Sequence, residues 1–448
     1  MKRTFISTLL TLSLGFLILG LSKARAVEEG TATIVAASGS QGIELFDVQD
    51  DGTLHSVGEL PPNVGLEGIA NNKWLIPNIS SFMVSPNRDQ IAFSAHRASE
   101  NALFIYSILK RHTQQKAVPY SFTPIWAPDG AALLLSSPPL AYIYEIASNQ
   151  LTEITHAPNE IGGNFQWLPD AAGIFYVGLN RSLVPPHPEI YFVNRDGSNR
   201  RAITHISSDA PADANPSPCN LTWSPANERI YYVVGCLGFK DNPRDYLFSV
   251  SLGGENRLEL SLPTLFHEDA VITAVRNIDT SPDGIFITYQ ADLLNGDHHW
   301  RVVDLTSAGE LQTRFDYRFD APRELYDAKI SPDAERVAFI GLADEATYGS
   351  IHFVVGNFDN NRFAADLSGD NSYICNITWD KGDILYETTN IPCFGNPSEP
   401  VATWRLNIQT NKTVKLTGSS GGNSWLLPIS KVSGQVTSTP TPSSTPSA

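Results

Sequence analysis

Cysteine is scarce in this chain: 448 residues contain four. None stands directly after the N-terminal apolar run, so a lipid-modified cysteine anchor is not expected. No two are spaced C-x2–4-C, so the knuckle of a zinc site is missing. Positive charge is also short. Thirty-one basic residues face 47 acidic ones, a formal net charge of −16. Such a surface repels phosphate backbones, and nucleic acid is not expected as a partner. Beyond the N-terminus no apolar stretch is long enough to span a membrane. Histidine does not recur after His352.

The one apolar run, Leu9 to Leu21, follows Lys2 and Arg3 and ends in SKARA, with small residues at Ala24 and Ala26. This pattern reads as a signal peptide over 1–26, cleaved before Val27; the run is short for a bilayer span. Its removal leaves 27 basic against 47 acidic residues, a balance of −20. The expected location is extracytoplasmic (periplasm, cell surface or medium), where disulfides persist. The other end reads VTSTPTPSSTPSA. Alternating Thr, Ser and Pro cannot bury apolar area, so 433–448 is expected to be a disordered tail. One domain, 27–432, lies between, and it is expected to be monomeric.

That domain repeats itself. FMVSPNRDQIAFSAH, PIWAPDGAALLLSS, FQWLPDAAGIFYVG, LTWSPANERIYYVVG, IDTSPDGIFITYQ, AKISPDAERVAFIG and ITWDKGDILYET follow one another along the chain. Each is a short strand, a turn near Pro-Asp-Gly and a strand rich in Ile, Phe, Tyr and Val. Proline presets φ for a turn, Asp, Asn or Gly tolerates the next positions, and β-branched and aromatic residues suit a half-buried pleat. A variable loop then leads to a third strand such as EIYFVNRDG, and a weaker fourth often ends in Thr, as in RRAITH.

The turn prolines stand at 86, 128, 169, 225, 282 and 332, with Lys381 at the seventh place, so units run from 41 to 57 residues. Four antiparallel strands at that period predict an all-β fold, a single β-propeller. Seven units are complete. Residues 32–58 supply second, third and fourth strands without a first, and GGNSWLLP (421–428) echoes the first strand GGNFQWLP (162–169). Strands from both termini would complete an eighth blade and close the ring. The sequence favours eight blades, with seven as the alternative.

The repeat, best kept in SPDG at 281–284, APDG at 127–130, SPDA at 331–334 and YFVNRDGSNRRAIT at 191–204, resembles the TolB-like propeller family. The same repeat occurs in propeller domains of prolyl-oligopeptidase-type peptidases. The resemblance covers about residues 31–428 and implies a propeller without naming a ligand, because these motif residues build turns and packing. TolB carries a further N-terminal α/β domain for which residues 27–58 leave no space, so a role in the Tol system is not expected.

The cysteines fall in two related units, CNLTWSPANERIYYVVGC and CNITWDKGDILYETTNIPC. With the hairpin turn near Asn227, Cys219 and Cys236 are nearly opposite, and a folded-back NIPC segment would bring Cys393 to Cys375. Two local disulfides, Cys219–Cys236 and Cys375–Cys393, are expected.

Catalytic motifs fail on context. GSSGG at 418–422 matches G-x-S-x-G around Ser420, but no helix or histidine is expected after it. His298 and His299 are adjacent in LNGDHHW, and HEDA at 267–270 lacks a second His, so no metal or cofactor is expected. Propeller lyases acting on oligogalacturonate hold a metal with histidines near the channel; no first strand here contains one. Acidic turns such as DVQDDG and NFDNN lack calcium-loop spacing.

Two features remain as candidate binding elements. Asn164, Asn220, Asn277 and Asn376 recur at the start of first strands, either as local backbone ties or as a ring of amides at the channel mouth. Long loops join second to third strands on that same face and bring Arg181, His187, Lys240, Arg244, His298 and Trp300. The expected function is non-catalytic binding of a protein, peptide or glycan on this loop face. The alternative is a channel enzyme, such as a polysaccharide lyase or glycoside hydrolase, with convergent carboxylates or histidines.

Overall fold

The computed structural model describes residues 34–39, 42–49, 51, 53–66, 74–76, 82–138, 140–154, 160–180, 187–206, 218–224, 227–234, 246–261, 272–280, 286–293, 298–304, 312–319, 325–331, 335–342, 351–357, 363–366, 373–380, 382–389, 402–410, 412–416 and 423–426, in some strands by backbone alone. The expected signal peptide, the C-terminal tail, Ser420 and HEDA lie outside them. The elements are all β-strands. Among the described residues they form seven sheets of four strands and one of six.

The first sheet joins the ends of the chain. Ile34–Gly39, Gly42–Val48 and Leu54–Glu59 run antiparallel in order, and Asn423–Leu426 pairs with Ile34–Gly39 in the register Val35 opposite Leu426. The third to eighth sheets follow the repeat, each strand pairing with the next in sequence. Their first strands are Thr123–Trp126, Glu160–Trp167, Pro218–Ser224, Ile272–Thr280, Leu325–Ile330 and Tyr373–Asp380. From the fourth sheet onward each of these edge strands touches its counterpart in the following sheet.

The hairpin turns explain the repeat's residues. In Ala127-Pro128-Asp129-Gly130 the Gly130 N–H donates to the Ala127 carbonyl at 2.8 Å, and Asp129 Oδ1 accepts from the Ala131 N–H at 2.9 Å. Gly130 has φ +69°, which glycine adopts freely. Ala171 and Arg88 hold the same place at +58° and +61°. The serine of the motif reaches across the hairpin: Ser85 Oγ accepts from the Gln90 N–H and Ser331 Oγ from the Arg336 N–H.

Neighbouring sheets pack through apolar faces. Phe93 and Phe104 of the second sheet share one cluster with Ile43 and Leu45 of the first. Leu133 and Leu135 of the third join Ala92 and Leu103 of the second, and further clusters bridge the third to the fourth and the fourth to the fifth. Val48 of the first sheet packs on Leu385 and Leu416 of the eighth, and Arg405 Nη1 donates to the Gln49 carbonyl at 2.7 Å. Tryptophans two residues before the turn proline tie first strands together. Trp126 Nε1 donates to the Met83 carbonyl and Trp167 Nε1 to that of Ile125.

The second sheet departs from the repeat. Its first-strand position is shared by Met83–Val84 and Trp74–Ile76, both paired with Gln90–Arg97, and Val64–Leu66 adds parallel to Trp74–Ile76. Val64, Trp74 and Ile76 are buried, and Trp74 packs edge-on against Phe104 at 5.5 Å. The repeat gave no expectation for this insertion.

Candidate functional site

The connections between second and third strands differ sharply around the molecule. In the first three sheets they are residues 40–41, Ala98–Ser99 and Pro138–Pro139. In the fourth to eighth they are residues 181–186, 235–245, 294–297, 343–350 and 390–401. The long connections, six to twelve residues, thus belong to four of these five sheets, and the sixth sheet's has four residues.

Arg181, Lys240 and Arg244 belong to these connections and lie outside the described residues. His187 opens strand His187–Asn194, paired with Asn180, and His298 opens His298–Asp304, paired with Asp292. Both therefore stand at the edge of the loop face.

Trp300 corrects the sequence reading. It is the third residue of its strand and 1% exposed, so it fills the core. The polar DHH before it suggested a loop, but the strand begins at His298 and alternation turns Trp300 inward. Among the described residues its Nε1 has no hydrogen-bond partner.

The recurrent asparagines stand at or beside irregularities of their strands. Asn164 is exposed with φ +51°, inside the register shift between Gly163 and Gln166. Asn220 falls in the shift between Cys219 and Thr222, Asn277 in that between Arg276 and Asp279, and Asn376 ends the shift that begins at Ile374. Three of these first strands thus bulge at the asparagine and the fourth one residue earlier, at Cys375, and the left-handed region that Asn164 occupies is one asparagine tolerates. Cys219 stands beside one of these bulges and Cys375 at another, both in strands; Cys236 and Cys393 lie outside the described residues.

His299 belongs to an ion-paired group on the sixth sheet. Its Nδ1 lies 2.8 Å from Asp316 Oδ1, and Arg301 Nη2 donates to Asp316 Oδ2 at 2.8 Å. Burial alone would raise the Asp316 carboxyl; the hydrogen bond from His299 and the charge of Arg301 outweigh it and hold the carboxyl below its ordinary value. On the opposite, turn face, Arg195 bridges the third and fourth sheets, donating to Glu145 and Asp129 at 2.5 Å, beside a shallow depression of about 480 Å³ lined also by Gln150, Thr152 and Asp196. Its guanidinium is engaged by two carboxylates, which suits an inter-sheet tie. Among the described residues no three His, Cys, Asp or Glu side chains gather as metal ligands would, and no helix is long and apolar enough to cross a membrane.

The sequence reading passed over one group on the loop face, Tyr120 in the link between the second and third sheets with Tyr142 and Glu153 of the third. The signal available was a tyrosine in the short link PYSF between strands, 50% exposed in the fold.

No protein-family model matches the sequence, and no curated protein is similar to it. Solved structures are alike in fold. An oligogalacturonate lyase from Vibrio parahaemolyticus is 9% identical with a TM-score of 0.53, over 74% of this chain and 89% of that one. A dipeptidyl-aminopeptidase-IV-type protein from Bacteroides ovatus is 11% identical with a TM-score of 0.55, over 86% of this chain; the present chain spans 59% of that one's length. TolB from Acinetobacter baumannii is 12% identical with a TM-score of 0.36, over 74% of this chain and 80% of that chain. At such identity the likeness is one of fold: the chain is an all-β propeller, and its sheets are blades.

Proposed function

We propose that this chain is an exported, non-catalytic propeller of eight blades that binds a protein, peptide or glycan on the face of its second-to-third-strand connections. The observation that carries the reading is the asymmetry of those connections, two residues each over three neighbouring blades, four in the sixth, and six to twelve in the fourth, fifth, seventh and eighth. Turn-face hairpins stay short and alike, as a scaffold requires. Variation confined to one end of a rigid scaffold is the usual arrangement of a recognition surface. Ring closure is supported by the pairing of Asn423–Leu426 with Ile34–Gly39 and by the packing of Val48 on Leu385 and Leu416. Export is supported by the N-terminal pattern, and it suits two disulfides.

The test is retention of envelope proteins and arrayed glycans by the purified protein, beside a variant with Arg181, Lys240, Arg244 and His298 replaced by alanine. Retention by the first and loss in the second is expected. Equal retention by both moves the binding surface elsewhere.

A further inference from the structure

The open part of the loop face carries an aromatic shelf. Tyr120 lies in the link between His112–Val118 and Thr123–Trp126 and is 50% exposed, one of three large apolar side chains so exposed among the described residues. It is not loosely held. Its ring meets Phe122 edge-on, centroids 6.3 Å apart at 81°, and Phe122, 4% exposed, meets Tyr142 at 5.6 Å and 75°. Tyr142, half-buried, is the direct cross-strand partner of Glu153, so the phenol and the carboxylate share one side of the sheet. Burial pushes the Tyr142 phenol up, and the nearness of Glu153 and Tyr120 pushes it further.

The two phenol oxygens and the Glu153 carboxylate make no hydrogen bond or ion pair among the described residues. Polar groups gathered beside an aromatic ring, at a rim where the adjoining connections are only Ala98–Ser99 and Pro138–Pro139, stand ready for a ligand that brings hydroxyls and an apolar face.

The geometry points to a binding subsite for a neutral sugar residue at the rim between the second and third blades. The C–H face of a pyranose stacks on Tyr120, and its hydroxyls donate to Glu153 and exchange hydrogen bonds with the Tyr142 phenol. Glu153 and a chain of net charge −16 repel a uronate, so an acidic glycan does not fit. A compact cation would use the carboxylate but needs enclosing aromatic walls. Here Phe122 is covered, leaving Tyr120 as the one widely open ring. This inference rests on the binding reading and supplies its ligand class.

The test is retention of the purified protein on immobilised neutral oligosaccharides (glucose, mannose and N-acetylglucosamine oligomers), beside polyuronate and choline surfaces. It is run with Tyr120→Ala, Glu153→Gln and the loop variant, each with its unfolding midpoint. Retention on a neutral oligosaccharide, reduced at least tenfold by either shelf substitution at unchanged midpoint, is expected. Retention that survives Tyr120→Ala but fails in the loop variant overturns the shelf and leaves the wider reading standing. Preference for polyuronate or choline, or no neutral sugar retained, also overturns it.

Discussion

The indole N–H of Trp379 donates to the carbonyl oxygen of Lys329, 2.9 Å away and 50 residues earlier. The same bond, from the same place in the repeat, links Trp126 to Met83 and Trp167 to Ile125. Repetition makes it a blade-to-blade tie. Trp379 is 7% exposed, so its loss is felt in a nearly dry setting. Trp379→Phe keeps most of the apolar area and leaves the carbonyl without its donor. It should lower unfolding free energy by about 1–2 kcal/mol in denaturant titration, and Trp379→Ala by about 3–5 kcal/mol.

Glu228 is exposed at φ +52° in the turn of the fifth blade, where glycine would be unstrained. Glu228→Gly should hold or raise stability by roughly 0.5 kcal/mol, relief of the left-handed backbone exceeding the added freedom of the unfolded chain. Glu228→Val should lower it by about 1–2 kcal/mol. Thermal unfolding of the pair side by side reads the difference in sign.

Asp316 sets a pH dependence. Its folded carboxyl lies below its ordinary value because His299 and Arg301 outweigh burial. Stability from this group is therefore present above the unfolded value of about 3.9 and is lost as pH falls through the lower folded value. Asp316→Asn should cost on the order of 1 kcal/mol at neutral pH, the scale of a part-exposed pair. The difference from the unmodified protein should vanish at the acid end of a denaturation series.

The four cysteines should resist alkylation unless reduced, and peptide mapping should recover Cys219 with Cys236 and Cys375 with Cys393. Replacing either pair with serine should lower stability by about 2–4 kcal/mol.

The blades were legible because their signal is local. A hairpin turn needs proline, Asp and Gly at fixed places, and the strand after it needs alternating bulk, so Ala127 to Leu135 reads correctly from residues alone. The insertion before the second blade was not, because Val64–Leu66 pairs in parallel with Trp74–Ile76 and such pairing leaves no turn motif. The asparagines were visible, but their bulges depend on register, which the pattern of side chains does not carry. Trp300 was misread because two histidines before it look like loop, while the strand's first residue is set by its pairing with Asp292. Tyr120, Tyr142 and Glu153 were invisible as a group, since cross-strand neighbours and a T-shaped contact bring together residues up to 33 positions apart.

Binding without turnover on the loop face is the centre of this account, and one measurement addresses it directly. The purified protein is held with an oligosaccharide panel, and the sugar it retains is recovered and weighed by mass spectrometry. The account predicts glycan retained and recovered intact, with retention lost when the loop-face residues are replaced. Shortened or unsaturated oligosaccharides accumulating with time would contradict it and make the propeller an enzyme.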